Sequence, residues 1–348
     1  GESRGRGAEY WGASHAELDR WLHLNGMPDR AKAWYDAQDA TFRSYLDAFA
    51  HGINDYAKAH PDKIAADVRV VLPVSGVDVI GHPLRVVHYG YMASQQRMER
   101  EVNAYKRDGA RAPDVAALDQ DHDEYASGSN TWSIGPAHSA SGNAMLLINP
   151  HLAWSNSFYR YMEVHLVGPN YDLYGAPQVG FPVPVVGFNR HAGWGRTVNT
   201  IDTVEFFKLT VKDGQYLDDG QLRPFEHSTK TFKVKQADGS MKEERVDIRR
   251  SIQGPVVYDQ DGLTVAMRVA GIDRPRMLEQ WFRMGEATNL EAFKDALRIM
   301  AVPMWHANYA DDQGHIMFVF DGLVPRRGGH DYQYWSRIVP GDTSETMW

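Results

Sequence analysis

The chain has 348 residues, no cysteine, 43% hydrophobic and 24% charged residues, and a formal charge of −8. That length suits one large domain or two smaller ones, and the composition is that of an ordinary globular protein. The lack of cysteine excludes disulfides, thiolate nucleophiles and cysteine-held zinc; no run reaches the roughly 18 to 20 apolar residues of a membrane span, and Lys and Arg form no stripe suited to a nucleic-acid backbone.

Residues 1 to 60 read as helical, with Phe42, Tyr45, Leu46, Phe49, Ile53 and Tyr56 recurring at three- and four-residue steps on one face. Pro61 ends that run. A stretch punctuated by Pro73 and Gly76 follows, then a second amphipathic segment over 89–106. Residues 70–74 and 144–148 have the apolar character and length of buried strands.

From residue 107 the character changes. Arg107-Asp-Gly-Ala-Arg-Ala-Pro-Asp114 and Asp119-Gln-Asp-His-Asp-Glu124 have the composition of an exposed segment, either a plain surface linker or a cleavable spacer. Beyond it the period becomes that of strands. Thr131-Trp-Ser-Ile134 alternates, 143–149 reads as a buried strand, and 188–200 as a strand-and-turn unit. Alternation continues through 205–270, as in Thr231-Phe-Lys-Val-Lys235, with turns at Asp213-Gly214 and Asp238-Gly239. Helices are expected near 277–282 and over 289–300. The sum is a helical front third followed by a sheet-rich remainder.

Most catalytic signatures are missing: there is no G-x-S-x-G elbow, P-loop, H-E-x-x-H or G-x-G-x-x-G after a strand. The junction Ser127-Gly-Ser-Asn-Thr-Trp132 stands where the polar segment meets the first strand. By itself it reads equally as a turn before a strand. Its chemical reading is specific. A serine hydroxyl needs a nearby base to become a nucleophile. If Ser129 becomes a chain terminus, its own α-amine, with an unperturbed pKa of about 8, is placed to be that base. Gly128, without a Cβ, tolerates the strained geometry in which the Ser129 hydroxyl attacks the preceding carbonyl.

Longer blocks carry a family likeness. Ser129-Asn-Thr-Trp-Ser-Ile-Gly135 and Gly142-Asn-Ala-Met-Leu-Leu-Ile-Asn-Pro-His-Leu-Ala-Trp154 resemble the start of the β-subunit in the penicillin/cephalosporin acylase family of N-terminal nucleophile hydrolases. Tyr174-Gly-Ala-Pro-Gln-Val-Gly-Phe-Pro-Val183 and Gly187-Phe-Asn-Arg-His-Ala-Gly-Trp-Gly-Arg-Thr-Val-Asn-Thr200 do likewise. The stretch from Arg268 to Phe282 is similar to the glutaryl-cephalosporin acylase branch. The likeness is dense over 129–348 and looser over 1–128.

The resemblance implies an α+β fold, a four-layer αββα N-terminal nucleophile hydrolase sandwich. It implies two chains cut from one precursor and paired as a heterodimer: a helical α-part over 1–106, a spacer over 107–128, and a β-part over 129–348. Both parts are expected to be incomplete. The α-part would lack its leading strand, and a second oxyanion donor, an asparagine in a block like Gln-Asn-Ser-Asn, would fall beyond Trp348. Carried over by position, Ser129 is the nucleophile and Gly128–Ser129 the bond cut by autoprocessing. His151 is an orienting histidine, and Val198 supplies a backbone N–H to the oxyanion; read alone, the first is a strand-end histidine and the second a strand valine. Each such donor is worth roughly 3 to 4 kcal/mol in a transition state.

Leu152, Tyr161, Gln178, Val185, Trp305 and His306 match substrate-binding positions that line the acyl pocket. Glutaryl-cephalosporin acylases carry an arginine at the place of Val185. Here the position is apolar, and a carboxylate buried without a partner costs several kcal/mol. A glutaryl group is therefore disfavoured unless Arg160, Arg190 or His306 reaches the spot. Acyl-homoserine lactone acylases, a sister branch, use apolar pockets, and each buried methylene contributes about 0.8 kcal/mol to chain-length selection. The expected activity is hydrolysis of an N-acyl amide with an apolar acyl group, such as an acyl-homoserine lactone. The rivals are a β-lactam acylase and a non-catalytic relative that keeps the fold as a binding module. No cofactor is expected. A structural calcium, held by some penicillin acylases, would fall near Asp202 and Glu205. The resemblance implies a periplasmic location, and neither a nucleic acid nor a membrane span enters the expectation.

Overall fold

The computed structural model describes residues 1–109, 128–152, 154–155, 157–169 and 171–348. The expected spacer therefore lies, apart from its ends, outside the described residues. Contacts divide the chain into two compact units. The described part of the first comprises 1–109, 204–270 and 325–348, and that of the second 128–152, 154–155, 157–169, 171–203 and 271–324.

The first unit joins the front helices to a sheet from the middle of the chain. Ala16–Leu24, Met27–Asp36, Ala40–Ala59, Gly76–Val86 and Gln95–Asp108 are its longer helices. Asp39 caps the Ala40–Ala59 helix by accepting from the Phe42 N–H at 2.8 Å. The expected apolar face of that helix divides. Phe42 and Leu46 are buried, whereas Tyr45, Ile53 and Tyr56 are exposed. Ile53 and Tyr56 border an apolar groove of about 660 Å³ shared with Val68, Val71 and Leu72. Residues 70–74 form turns and irregular chain beside it, not the expected strand. Their apolar side chains fill a groove wall, which a run of that length cannot distinguish from a strand. The Gly76–Val86 helix was hidden by Pro73, Gly76, Gly81 and Pro83. It begins with a capping box between Ser75 and Asp78.

Strands are numbered in chain order. β1 (Gly128–Ile134), β2 (Met145–His151), β3 (Val164–Gly168), β4 (Tyr171–Ala176), β5 (Val186–Phe188) and β6 (Ala192–Thr197) belong to the second unit. β7 (Val204–Leu209), β8 (Val211–Lys212), β9 (Gln215–Asp218), β10 (Gln221–Pro224), β11 (Glu226–Lys235), β12 (Met241–Ser251), β13 (Gly254–Gln260) and β14 (Leu263–Val269) belong to the first. β15 (Met304–Asp311) and β16 (Ile316–Gly322) return to the second, and β17 (Val339–Pro340) to the first.

The first unit's sheet runs β11-β12-β13-β14-β7-β17. Its only parallel pairing among the described residues is β17 on β7. Asp213-Gly214, Asp219-Gly220 and Asp261-Gly262 all take positive φ, the condition for tight two-residue hairpin turns. Phe207, Tyr216, Phe225, Ala266, Trp335 and Val339 form one core cluster of this unit.

The second unit's sheet is antiparallel throughout, in the order β16-β15-β6-β5-β4-β3. One face packs against the helices Met277–Glu286 and Leu290–Leu297. Trp194 meets Phe293 at 6.4 Å between centroids, Phe293 meets Tyr309 at 4.7 Å, and Trp281 meets Trp305 at 5.9 Å. Asn289 caps the second of these helices through the Ala292 N–H. The other face carries the separate β1–β2 hairpin. Gly193 and Gly195 on β6 make the seat, since a Cβ on Gly195 would stand 2.6 Å from Ile148 Cγ1 and one on Gly193 3.1 Å from Leu146 Cδ2. β2 is therefore half-covered, with inner residues packed on the sheet and outer ones exposed, and not the fully buried strand expected over 143–149. Residues 145–148 of β2 are apolar on both faces, and a continuous apolar run reads as full burial.

Candidate functional site

Strand pairing sets the geometry at the junction. In the β1–β2 ladder Gly128 lies opposite His151, and Ser129 opposite Pro150. Alternation turns Ser129, Thr131 and Ser133 to one face of the hairpin, and Gly128, Asn130 and Trp132 to the other. Ser129, Thr131 and Ser133 border a groove of about 490 Å³ with Thr197, Asn308, Met317 and Phe318. The Ser129 hydroxyl donates to the carbonyl oxygen of Gly128 at 2.6 Å. It is thus held on the carbonyl of the peptide bond that joins these two residues. The hairpin is tied down by Asn308 Nδ2, which donates to the Thr131 carbonyl at 3.2 Å. Thr131 Oγ1 and Ser133 Oγ are buried beneath it, with no hydrogen-bond partner among the described residues.

His151 is exposed at the end of β2, with Nε2 3.3 Å from Asn130 Nδ2. Its ring thus stands over the Gly128 side of the junction, on the hairpin face away from the Ser129 hydroxyl. Val198 is half-buried and follows β6 directly after Thr197, which borders the Ser129 groove.

The expected acyl-pocket residues do not form one cluster. Tyr161 and Gln178 pair through an isolated bridge, and Gln178 and Trp305 are buried on the helix-packed side with Trp281. Val185 is fully buried, and Leu152 half-buried just past β2. His306 belongs to the opposite side of β15, its ring 5.0 Å from that of Phe318 and 4.8 Å from that of Phe320. Burial lowers its pKa below the ordinary imidazole value, which favours the neutral ring. Arg160 and Arg190 do not reach a pocket either. Arg160 donates to the Trp154 carbonyl, and Arg190 pairs with Asp172 at the surface.

A residue that motif reading passed over occupies the interior. Arg196 is 7% exposed, its guanidinium carbon 4.2 Å from the Trp305 ring centroid and 5.1 Å from that of Trp281. Its Nη2 donates to Gln178 Oε1 at 2.8 Å. The signal was present in the sequence: Ala192, Trp194 and Arg196 alternate along β6, so the arginine shares the buried face with the tryptophan.

Of the acids considered for calcium, Glu205 is 1% exposed and accepts from Arg327 Nε at 3.0 Å. Among the described residues no group of three His, Asp or Glu side chains could hold a metal ion, and no helix is long and apolar enough to cross a membrane.

The mixed α+β fold has a solved counterpart. The thermostable penicillin G acylase of Alcaligenes faecalis matches it with a TM-score of 0.54 and 24% identity, over 62% of this chain and 38% of that one. The likeness is one of fold. The penicillin amidase family model matches residues 2–348, and the chain belongs to that family. The acyl-homoserine lactone acylase PvdQ of Pseudomonas syringae pv. syringae (strain B728a) is 30% identical over 92% of this chain and 45% of its own length. That of Pseudomonas fluorescens (strain Pf0-1) is 28% identical over 88% and 41%. Aculeacin-A acylase of Actinoplanes utahensis is 30% identical over 63% of this chain and 29% of its own. The chain spans less than half the length of these relatives.

Proposed function

We propose that the protein is a self-processing amidohydrolase in which Ser129 is first the agent of its own release and then the catalytic nucleophile. The observation that carries this is the Ser129 hydroxyl on the Gly128 carbonyl, 2.6 Å from its oxygen, at the head of a strand and on the edge of a groove. In the first step Oγ attacks the Gly128 carbonyl carbon and the Gly128–Ser129 C–N bond breaks, leaving an ester. Water then hydrolyses the ester, freeing the Gly128 carboxylate and the Ser129 α-amine. In turnover that amine takes the hydroxyl proton as Oγ attacks the substrate amide, and delivers it to the leaving amine. Water, deprotonated by the same amine, then cleaves the acyl–Oγ ester, releasing the acid and restoring the Ser129 hydroxyl. The Val198 N–H receives the oxyanion. His151, through Asn130 and its place across from Gly128, is a positioning residue. No step requires a metal or cofactor.

On this reading the processed chains stay paired as a heterodimer with the αββα fold of N-terminal nucleophile hydrolases. The substrate is an N-acyl amide with an apolar acyl body. Support comes from Ile316, Met317 and Phe318, the apolar side chains that border the groove beside Ser129. The acyl-homoserine lactone acylases among its relatives favour that class over β-lactams, and signal degradation in the periplasm fits it. The test is to incubate the protein, expressed from its complete coding sequence, with decanoyl-homoserine lactone and with glutaryl-7-aminocephalosporanic acid. Faster turnover of the lactone supports the apolar-acyl reading; faster turnover of the glutaryl compound overturns it.

A further inference from the structure

Arg196 is a permanent charge in the interior of the second unit, and no carboxylate among the described residues lies within ion-pair distance of it. Two tryptophan rings, Trp281 and Trp305, flank its guanidinium, and Gln178 takes Nη2. The stacking offsets part of the lost hydration, but Nη1 is buried and donates to nothing among the described residues. A desolvated cation with an unmet donor is an expensive arrangement for stability alone. The chain adds a second oddity at the same place: Trp305, a bulky residue, has φ +112°. Backbone strain of this kind persists where neighbours over-determine it, and it gathers at ligand clamps.

We infer that Arg196 anchors a carboxylate site, with Nη1 as the open donor, Gln178 fixing the fork, and Trp281 and Trp305 as flanking walls. The ligand is an aliphatic carboxylate. A planar guanidinium suits a carboxylate in charge and shape, and aromatic walls suit a hydrocarbon body. Resting on the acylase reading, the chemistry has two sources: the acid set free by amide cleavage, and a carboxylate at the far end of a dicarboxylic acyl group.

The test begins with binding, which needs no turnover. Tryptophan emission is followed while decanoate, methyl decanoate, or the monoamide of sebacic acid is added to wild type and to Arg196→Met. The expected result is saturable binding of the acids but not of the ester, weakened roughly tenfold to a hundredfold in the variant. Decanoate and the monoamide distinguish the two sources: tighter binding of the first assigns the released acid, and of the second a distal acyl carboxylate. A purely structural arginine would cost stability on removal. A ligand anchor leaves the Arg196→Met melting temperature, without ligand, unchanged or higher. Ester binding as tight as acid binding, equal acid affinity in the two proteins, no acid binding to either, or a lower melting temperature in the variant would each overturn the inference. Failure to cleave any amide, with acid binding intact, would instead count against the acylase reading alone.

Discussion

The two faces of the second unit's sheet are built by alternate residues of the same strands, yet they are made of different materials. Toward the helices, β6 and β15 present Trp194, Arg196, Tyr309 and Trp305, closed over by Phe293 and Trp281. Toward the hairpin, β6 presents Gly193 and Gly195, and the facing groups include Thr131, Ser133 and Asn308. The aromatic face provides burial, and at about 25 cal/mol per Å² this is where stability is concentrated. The glycine face gives up side-chain area so that a second backbone can come close, and that backbone carries Ser129. One strand thus stabilises on one side and positions a site on the other.

Three substitutions would break or sharpen that contrast. Phe293→Ala removes a fully buried ring from the aromatic face and should cost about 3 to 5 kcal/mol in a urea unfolding curve. A cost under 1 kcal/mol would mean that face is not where stability resides. Asp321, opposite Trp305 on β16, is a smaller and opposite case. Burial raises its carboxyl pKa to about 6, offset in part by the Gly322 N–H. Its folded value lies above its unfolded one, so ionisation disfavours the fold. The penalty is absent below about pH 4, grows as the pH rises to about 6, and is complete above that. Asp321→Asn should accordingly stabilise by up to roughly 2 to 3 kcal/mol at pH 7.5 and by nothing near pH 3.5. Equal effects at both pH values would contradict the assigned cause. Gly195→Ala places a methyl 2.6 Å from Ile148 Cγ1 and 3.0 Å from Thr131 Oγ1. A cost of about 1 to 3 kcal/mol is expected, together with slower self-processing, because the hairpin must lift. Normal stability with unchanged processing would show that the hairpin does not depend on its glycine seat.

How much of this the sequence disclosed follows from the same contrast. Helices marked by period and cap were legible, as with the Asn289-capped helix near the end, and so was the Asp213-Gly214 turn. The strand at Ser129 was legible from its alternation, and its partner from the apolar run at 143–149, which the structure carries on to His151. Residues 70–74 misled because a groove wall and a buried strand look alike over five residues. The helix at 76–86 was masked by its glycines and prolines, although Ser75 and Asp78 spelled its cap. At the site, Ser129 and Gly128 could be named from a short junction, while the division of Gln178 and Trp305 from His306 depends on which face of β15 each residue takes. Arg196 was missed because motif reading looks for charges in loops, and this one lies on a buried strand between Gly195 and Thr197.

Self-processing depends on one bond, Gly128–Ser129. Intact-mass spectrometry of the protein expressed from its complete coding sequence, beside its Ser129→Ala variant, tests it directly. The account predicts a wild-type polypeptide beginning at Ser129 with a separate α-part, and a single uncut chain for the variant. A wild type that remains one chain across Gly128–Ser129, or a variant cut at the same bond, would contradict it.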